Sequence, residues 1–168
     1  MMTTVRADAP PVLEDLYREH YASLVRLAAM LVDDVATCEE VVQDAFVAIH
    51  RRGLENVPAD RIPSYLRSAV LNGARSELRH VGVERRHLRS VARTEEATEV
   101  RPRTGDDDRV LRTLRSLPTR QREVLALRYY LDLSEEEIAT TLGISAGSVK
   151  THAHRGLATL AERLEDLR

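Results

Sequence analysis

The sequence has little of what would build a disulfide-bonded or membrane-bound protein. Its 168 residues include one cysteine, Cys38, which excludes an internal disulfide and any cysteine-based metal motif and fits a reducing compartment. No run approaches the ~20 apolar residues of a membrane span, and the first residues contain no apolar core of signal-peptide length. We therefore expect a cytoplasmic protein that has no contact with a membrane.

Aromatic side chains, the largest that a core can contain, are also scarce. Tryptophan is absent and aromatic residues make up 4% of the chain, although 43% of the residues are hydrophobic. The apolar residues recur at helical spacing, and no segment alternates over the length of a strand. This pattern predicts an all-α protein whose small cores consist of leucine, valine, alanine and isoleucine.

One stretch interrupts the helical pattern. Residues 89–106 are mostly polar and contain Pro102 and Gly105, a composition typical of a linker. The sequence therefore predicts two small helical domains, 10–88 and 107–168, joined by a flexible linker.

Charge is distributed unevenly along a chain whose net charge is only −2. Residues 14–60 contain ten acidic residues and four arginines, a net of −6, whereas residues 61–93 contain eight arginines and two glutamates, a net of +6. Such asymmetry indicates two partners of opposite charge, or one partner that meets only the basic part.

The C-terminal domain has the pattern of a helix-turn-helix. Ser134 and Glu137 form a capping box, Leu142-Gly143 ends that short helix, and Ser145 can cap the next one. The second helix of such a motif enters the major groove of DNA, where amides and hydroxyls meet phosphates and longer side chains reach base edges. The residues on or beside its outward face are Gly147, Ser148, Lys150, Thr151, His154 and Arg155.

The segment that carries this motif, "LPTRQREVLALRYYLDLSEEEIATTLGISAGSVKTHAHRGLATLAERL", resembles region 4 of extracytoplasmic-function (ECF) sigma factors. These are small sigma-70-type initiation subunits of bacterial RNA polymerase, and the resemblance implies that the outward face reads the −35 promoter element. The stretch "SVKTH" is equally typical of LuxR-type regulators. A LuxR-like helix-turn-helix regulator is therefore the alternative that this domain leaves open.

The acidic N-terminal part favours the first interpretation. The stretch "CEEVVQDAFVAIHRR" resembles sigma region 2.2, which docks on the clamp helices of the largest subunit of core RNA polymerase. A surface with a local net charge of −6 would be repelled by DNA and attracted to a basic protein surface. The resemblance assigns polymerase binding to the outward residues Glu39, Glu40, Gln43 and Asp44, and we expect Phe46 to lie in the core.

The next helix, "SYLRSAVLNGARSELRHVGVERRHLR", resembles sigma regions 2.3 and 2.4, which read and melt the −10 promoter element. The short residues Asn72, Gly73 and Ser76 would permit a loop that accepts a base swung out of the stack. We expect Tyr65 to pack rather than to stack on a base. The resemblance assigns −10 binding to Asn72, Arg75, Ser76, Arg79, Arg85 and Arg86. It also makes an anti-sigma factor a candidate partner, because relatives are commonly held by one.

Nothing in the sequence indicates catalysis. The six histidines are scattered, and His152 and His154 point to different sides of a helix, so we expect no metal site and no cofactor. There is no glycine-rich phosphate loop, nucleophile elbow or paired-carboxylate arrangement. Glu39 and Glu40 follow Cys38 and would raise the pKa of its thiol, which argues against a reactive cysteine. We therefore predict that the protein is not an enzyme.

Overall fold

The fold is helical throughout the part of the chain that the structure describes. A computed structural model describes the backbone of residues 12–91 and 106–166 and the side chains of 12–82 and 109–166. Within these ranges there is no strand, which confirms the predicted all-α class. The helices are α1 (Leu13–Leu31), α2 (Val35–Arg52), α3 (Ile62–Val91), α4 (Asp106–Arg115), α5 (Thr119–Leu125), α6 (Glu135–Leu142) and α7 (Ala146–Glu165). Two short 3₁₀ turns, 54–56 and 59–61, connect α2 to α3, and a π-helical turn, Ala126–Tyr130, extends α5.

The N-terminal module consists of α1, α2 and α3, which pack against one another. Their buried faces carry mostly leucine, valine and alanine, as the composition predicts, and Phe46 lies in this core. Tyr17 belongs to the apolar stripe of α1 by its spacing, but 39% of it is exposed. Each fully buried leucine or valine contributes ~1.5–3 kcal/mol to the free energy of unfolding.

The predicted loop around Gly73 does not exist, because α3 is helical through Asn72, Gly73 and Ser76. Gly73 instead allows α3 to pack closely on α2. A Cβ atom at this position would lie 2.8 Å from Cγ1 of Val41, a distance that real Cβ contacts do not reach. The glycine therefore serves helix packing and not a base-accepting loop.

The C-terminal module contains the predicted helix-turn-helix in α6 and α7. The capping box is present, since the Ser134 hydroxyl accepts a hydrogen bond from the Glu137 amide and the Glu137 carboxylate accepts one from the Ser134 amide. Gly143 ends α6 in the left-handed conformation. The Ser145 side chain caps α7 by accepting from the amide of Ser148.

Two details of the C-terminal module differ from what the sequence pattern predicts. The Leu117-Pro118-Thr119 segment predicts the end of one helix and a cap for the next. Helix α4 does end just before it, at Arg115, but no side chain caps the start of α5. Helical spacing predicts that Leu157 packs inward, but 41% of it is exposed. The contact with α5 is made one residue earlier, where Gly156 lies against Leu125 and Gln121.

The two modules pack on each other, and one hydrophobic cluster runs from Leu16 in α1 to Ala153 in α7. The contacts between modules join α1 to α4 and to the π-helical turn, and α3 to α6. Helix α3 continues to Val91 and α4 begins at Asp106, so both helices reach into the predicted linker. The remainder of that linker lies outside the described residues. No helix in the described ranges has the length and apolar character that a membrane span requires.

Candidate nucleic-acid and protein interfaces

The acidic face of α2 is exposed to solvent. Asp34 begins this helix by accepting hydrogen bonds from the amide and hydroxyl of Thr37 at 2.8 and 2.7 Å, and these bonds lower the pKa of the Asp34 carboxyl. The opposite side of the helix is buried in the core through Val42, Phe46 and Ile49. The four residues predicted to bind a protein partner all lie on the solvent side: Glu39, Glu40, Gln43 and Asp44.

An aromatic cluster borders this acidic face, and sequence reasoning did not find it. The rings of Tyr17 and Tyr21 stack with centroids 4.4 Å apart, and Phe46 lies 5.0 Å from Tyr17. Burial and a hydrogen bond with Tyr17 raise the pKa of Tyr21, while a hydrogen bond with Gln43 opposes that shift. The side chain of Gln43 thus joins the acidic face to the tyrosines. The helical spacing of Tyr17 predicts a core position, but spacing does not reveal that part of the ring stays exposed.

The basic face of α3 is only partly free. Asn72 and Arg79 are exposed and Ser76 is half-buried, whereas three quarters of the Arg75 side chain is buried. Its guanidinium donates to both carboxylate oxygens of Glu123 in α5, at 2.5 and 2.9 Å, and to Oδ1 of Asn72 at 2.8 Å. Two further predicted residues, Arg85 and Arg86, belong to α3, but their side chains lie outside the described residues.

Glu123 is the residue beside this face that sequence reasoning missed most clearly. Its side chain is 1% exposed and is held by two arginines, Arg75 of α3 and Arg120 of its own helix at 3.2 Å. A carboxylate removed from water requires such partners. Its position inside an apolar helical stripe, "REVLAL", was a signal that it is buried, but the sequence did not identify Arg75 as its partner.

A cleft of about 580 Å³ separates the two modules at this point. One wall is the basic face of α3 with Asn72, Arg75 and Arg79, and the other includes Thr119 at the start of α5. Three of the predicted −10 residues therefore line one cleft together with the C-terminal module.

The outward face of α7 is open to solvent. Of the predicted residues there, Ser148 is half-buried and the others are exposed: Gly147, Lys150, Thr151, His154 and Arg155. The opposite side, with Val149, Ala153 and Gly156, is buried.

Local contacts hold the first turns of α7 in place. The Thr151 hydroxyl donates to the carbonyl of Gly147 at 3.0 Å, and the Ser145 and Ser148 hydroxyls lie 2.9 Å apart. Lys150 Nζ lies 3.4 Å from Oε2 of Glu135, and 68% of the lysine side chain is exposed. Exposed ion pairs of this kind are weak, so Lys150 is free to turn toward another anion.

The environment of Cys38 agrees with an unreactive thiol. Cys38 is buried, and burial raises the pKa of its thiol, with Arg115 opposing and Asp34, Asp33 and Glu39 adding to the shift. The predicted direction is confirmed, but burial and not the neighbouring glutamates is the main cause. No group of three histidine, cysteine, aspartate or glutamate side chains in the described part of the chain could hold a metal ion.

These features define a helical protein with a helix-turn-helix, an exposed acidic helix and a basic helix, and comparison with known proteins identifies the class. Residues 107–160 match the family described as Sigma-70, region 4. Over an alignment of 172 positions, the sequence is 31% identical to RNA polymerase sigma factor CarQ of Myxococcus xanthus. The alignment covers 99% of this chain and 97% of the relative. It is 29% identical to the ECF RNA polymerase sigma factor SigL of Mycobacterium tuberculosis over 93% of this chain and 90% of SigL.

A solved structure, that of CnrH in complex with the cytosolic domain of CnrY, is similar with a TM-score of 0.68 and 27% identity, and it covers 92% of this chain and 88% of that chain. The chain belongs to the ECF sigma factors of the sigma-70 family. Membership in this family implies a transcription regulator without catalytic activity. The LuxR-like alternative is not favoured, because the similarity extends over the N-terminal module as well as the helix-turn-helix.

Proposed function

We propose that this sigma factor binds core RNA polymerase through the acidic face of α2 and contacts promoter DNA through two separate faces, on α3 and on α7. The observation that carries the proposal is the placement of charge. The exposed carboxylates of α2 lie on a different helix from Arg75 and Arg79 and from the hydroxyls and cations of α7. Like charges repel and opposite charges attract across an interface, so the acidic face suits a basic protein surface and the other two suit DNA.

The outer face of α7 is proposed to read the −35 element. The first turn of an α-helix has backbone amides without intrahelical acceptors, and such amides bind phosphates. Gly147 lets the helix approach the DNA backbone, since it has no side chain and a Cβ atom there would meet only the Ser145 hydroxyl, at 3.9 Å. His154 and Arg155 are long enough to reach base edges.

The face of α3 with Asn72, Arg75, Ser76 and Arg79 is proposed to bind the −10 element after the strands separate. Unstacking a base costs a few kcal/mol, and contacts between arginines and phosphates offset that cost. Because Gly73 is packed on Val41, the base-accepting surface is the outer side of a continuous helix and not a loop.

We further propose that the protein acts in the cytoplasm, where bacterial RNA polymerase works, and that it needs no metal, cofactor or catalytic residue of its own. An anti-sigma factor is a candidate partner, since a sigma factor of similar fold was solved in complex with an anti-sigma factor.

Transcription reconstituted from core polymerase tests the proposal. The chain is added to core enzyme on genomic DNA fragments, and the 5′ ends of the transcripts are mapped. We expect a defined set of start sites that depends on the added chain. Absence of any chain-dependent start site would overturn the proposal.

Charge reversal separates polymerase binding from DNA binding. The variant Asp44→Arg should lose co-purification with core polymerase, because its charge becomes that of the proposed partner surface. The matched control is Glu162→Arg, an equal change of charge at an exposed position near the end of α7, which should bind core polymerase as the unaltered chain does. Equal binding by Asp44→Arg would remove the acidic face from the proposal.

A further inference from the structure

The surface of α3 that is proposed to bind DNA already has an occupant in this structure, the C-terminal module of the same chain. Arg75 makes a two-pronged ion pair with Glu123, with bonds of 2.5 and 2.9 Å. Glu123 is 1% exposed, so this contact is part of a buried interface and not a chance pairing of surface side chains. One helical turn before Asn72, Ser68 donates a hydrogen bond to the carbonyl of Thr141 in α6 at 2.9 Å.

A second set of contacts fixes the C-terminal module to the end of α1. The last turn of α1 contains no basic residue, although helix C-termini carry unpaired carbonyls and partial negative charge. Arg115 donates to the carbonyl of Ala29 at 3.0 and 2.5 Å and also pairs with Asp33. Arg122, which is buried, donates to the carbonyl of Leu31 at 3.3 Å. The C-terminal module thus supplies the cations that the end of α1 lacks.

From these contacts we infer that the C-terminal module is an intramolecular partner of α3, and that it competes with −10 DNA for Arg75. The inference rests on the proposed function of α3. A carboxylate and a phosphate offer the same kind of acceptor to a guanidinium, two oxygens in one plane. While Glu123 holds Arg75, the Nε–Nη2 edge of the guanidinium is occupied and Nη1 donates to Asn72. A phosphate therefore cannot form the two-pronged pairing at that edge, and the C-terminal module stands across the cleft.

The competition is selective. The acidic face of α2 and the outer face of α7 both remain exposed in the packed chain. Packing of the modules therefore leaves the proposed polymerase and −35 surfaces accessible and restricts only the −10 surface. Separation of the modules is then a step that must precede engagement of the −10 element.

A reversible cross-link tests the inference in the full chain. The hydroxyls of Ser64 and Thr141 lie 3.5 Å apart across the interface, so the two side chains are in contact, as a disulfide between these positions requires. The variant carries Ser64→Cys and Thr141→Cys with Cys38→Ala, and the control carries Ser64→Cys with Cys38→Ala. The probes are a single-stranded oligonucleotide and a duplex, each enriched by the reduced variant from a random-sequence pool.

We expect the disulfide to form readily in the variant. Oxidation should raise the Kd for the single strand about tenfold or more, as expected when the competent fraction falls by that factor, and reduction should restore it. The Kd for the duplex should stay the same, and neither probe should respond to oxidation in the control.

Three other outcomes would each contradict one part of the inference. Equal binding of the single strand by the oxidised and reduced variant would overturn the competition while leaving the −10 assignment intact. Failure of the disulfide to form would overturn the packed arrangement. Failure of the reduced chain to enrich any single strand would overturn the −10 assignment and the competition with it.

A variant that weakens the interface supplies a second test, because it should strengthen single-strand binding where the cross-link weakens it. Glu123→Gln removes the charge that holds Arg75 and keeps the shape of the side chain, so the single-stranded probe should bind about threefold or more tightly. Glu162→Gln makes the same change of net charge at an exposed site and should leave binding within twofold, about the change expected of one distant charge. Equal gains in both variants would mean that net charge and not the interface controls binding.

Discussion

Helices α3 and α7 carry the two proposed DNA-binding faces, and they differ in what surrounds them. The face of α7 is exposed, and its only described ion pair is the one between Lys150 and Glu135, at the surface. The face of α3 shares Arg75 with a buried carboxylate and lines a cleft whose other wall is the C-terminal module. Under the proposed roles, the residues on α7 therefore act only in DNA binding, whereas Arg75 acts in both stability and binding. This difference can be tested one substitution at a time.

The largest effect on stability is expected for Arg75→Ala. Breaking a fully buried pair by removing one partner costs ~3–5 kcal/mol. Since Arg75 is one quarter exposed and Arg120 remains beside Glu123, we expect the free energy of unfolding to fall by about 2–3 kcal/mol. Urea denaturation followed by circular dichroism measures it. The control is Arg79→Ala, one turn further along the same face and exposed. Equal midpoints for the two variants would show that the ion pair adds no stability.

On α7, Arg155→Ala should affect binding alone. An arginine that reads a base contributes ~1–3 kcal/mol to discrimination, and the exposed side chain of Arg155 contributes little to the fold. We expect weaker binding of the −35 duplex, relaxed preference at one base pair and an unchanged unfolding curve. A lowered unfolding midpoint would make Arg155 a structural residue, like Arg75.

Glycines on the two helices provide the next contrast. Gly73→Ala places a Cβ atom 2.8 Å from Val41 Cγ1. Overpacking of this kind costs ~1–3 kcal/mol, and the higher helix propensity of alanine returns up to ~1 kcal/mol. We expect a net loss of about 1–2 kcal/mol in the free energy of unfolding.

Gly147→Ala is the matched change on α7. Its Cβ atom meets only the Ser145 hydroxyl at 3.9 Å. Because alanine has a higher helix propensity than glycine, the free energy of unfolding should rise slightly. Binding of the −35 duplex should weaken at the same time, because the helix can no longer approach the DNA backbone as closely. Tighter or unchanged duplex binding would remove Gly147 from the interface.

A smaller effect is expected for Lys150→Ala. Loss of one phosphate contact should weaken binding evenly across sequences and reduce the slope of log K against log salt by about one. Glu135→Gln provides the opposite change, because it removes the carboxylate that lies 3.4 Å from the ammonium group, and binding should tighten. An unchanged salt slope in Lys150→Ala would mean that this lysine does not contact a phosphate.

The smallest effect concerns pH and the capping box of α6. Hydrogen bonds from the amide and hydroxyl of Ser134 hold the pKa of Glu137 below its usual value. Because the pKa is lower in the folded chain, the ionised carboxylate stabilises the fold above the unfolded pKa. That contribution is lost as the pH falls through the folded pKa. Glu137→Gln should therefore be less stable than the unaltered chain at neutral pH, and the two should converge in acid. A difference in stability that persists in acid would show that the ionised Glu137 carboxylate is not its source.

Helical periodicity and capping chemistry predicted most of the fold, because both depend on neighbours within one or two turns. The Ser134–Glu137 box, the glycine end of α6 and the outward face of α7 follow from residues that are adjacent along the chain. The same reasoning failed at Gly73, where the reason for a glycine is a valine on another helix. It also failed at Leu157, since spacing gives the side of a helix but not how far its neighbour extends.

By itself, the sequence determined the helical class, the separation of acidic and basic segments, and the side of α2 and of α7 on which the candidate binding residues lie. Only the tertiary structure decided that Arg75 meets Glu123 and that Arg115 and Arg122 cover the end of α1. The physical reason is the separation along the chain of the residues that interact. Periodicity and caps are set by hydrogen bonds and side chains a few residues apart, whereas an ion pair between residues 48 positions apart depends on how whole modules pack.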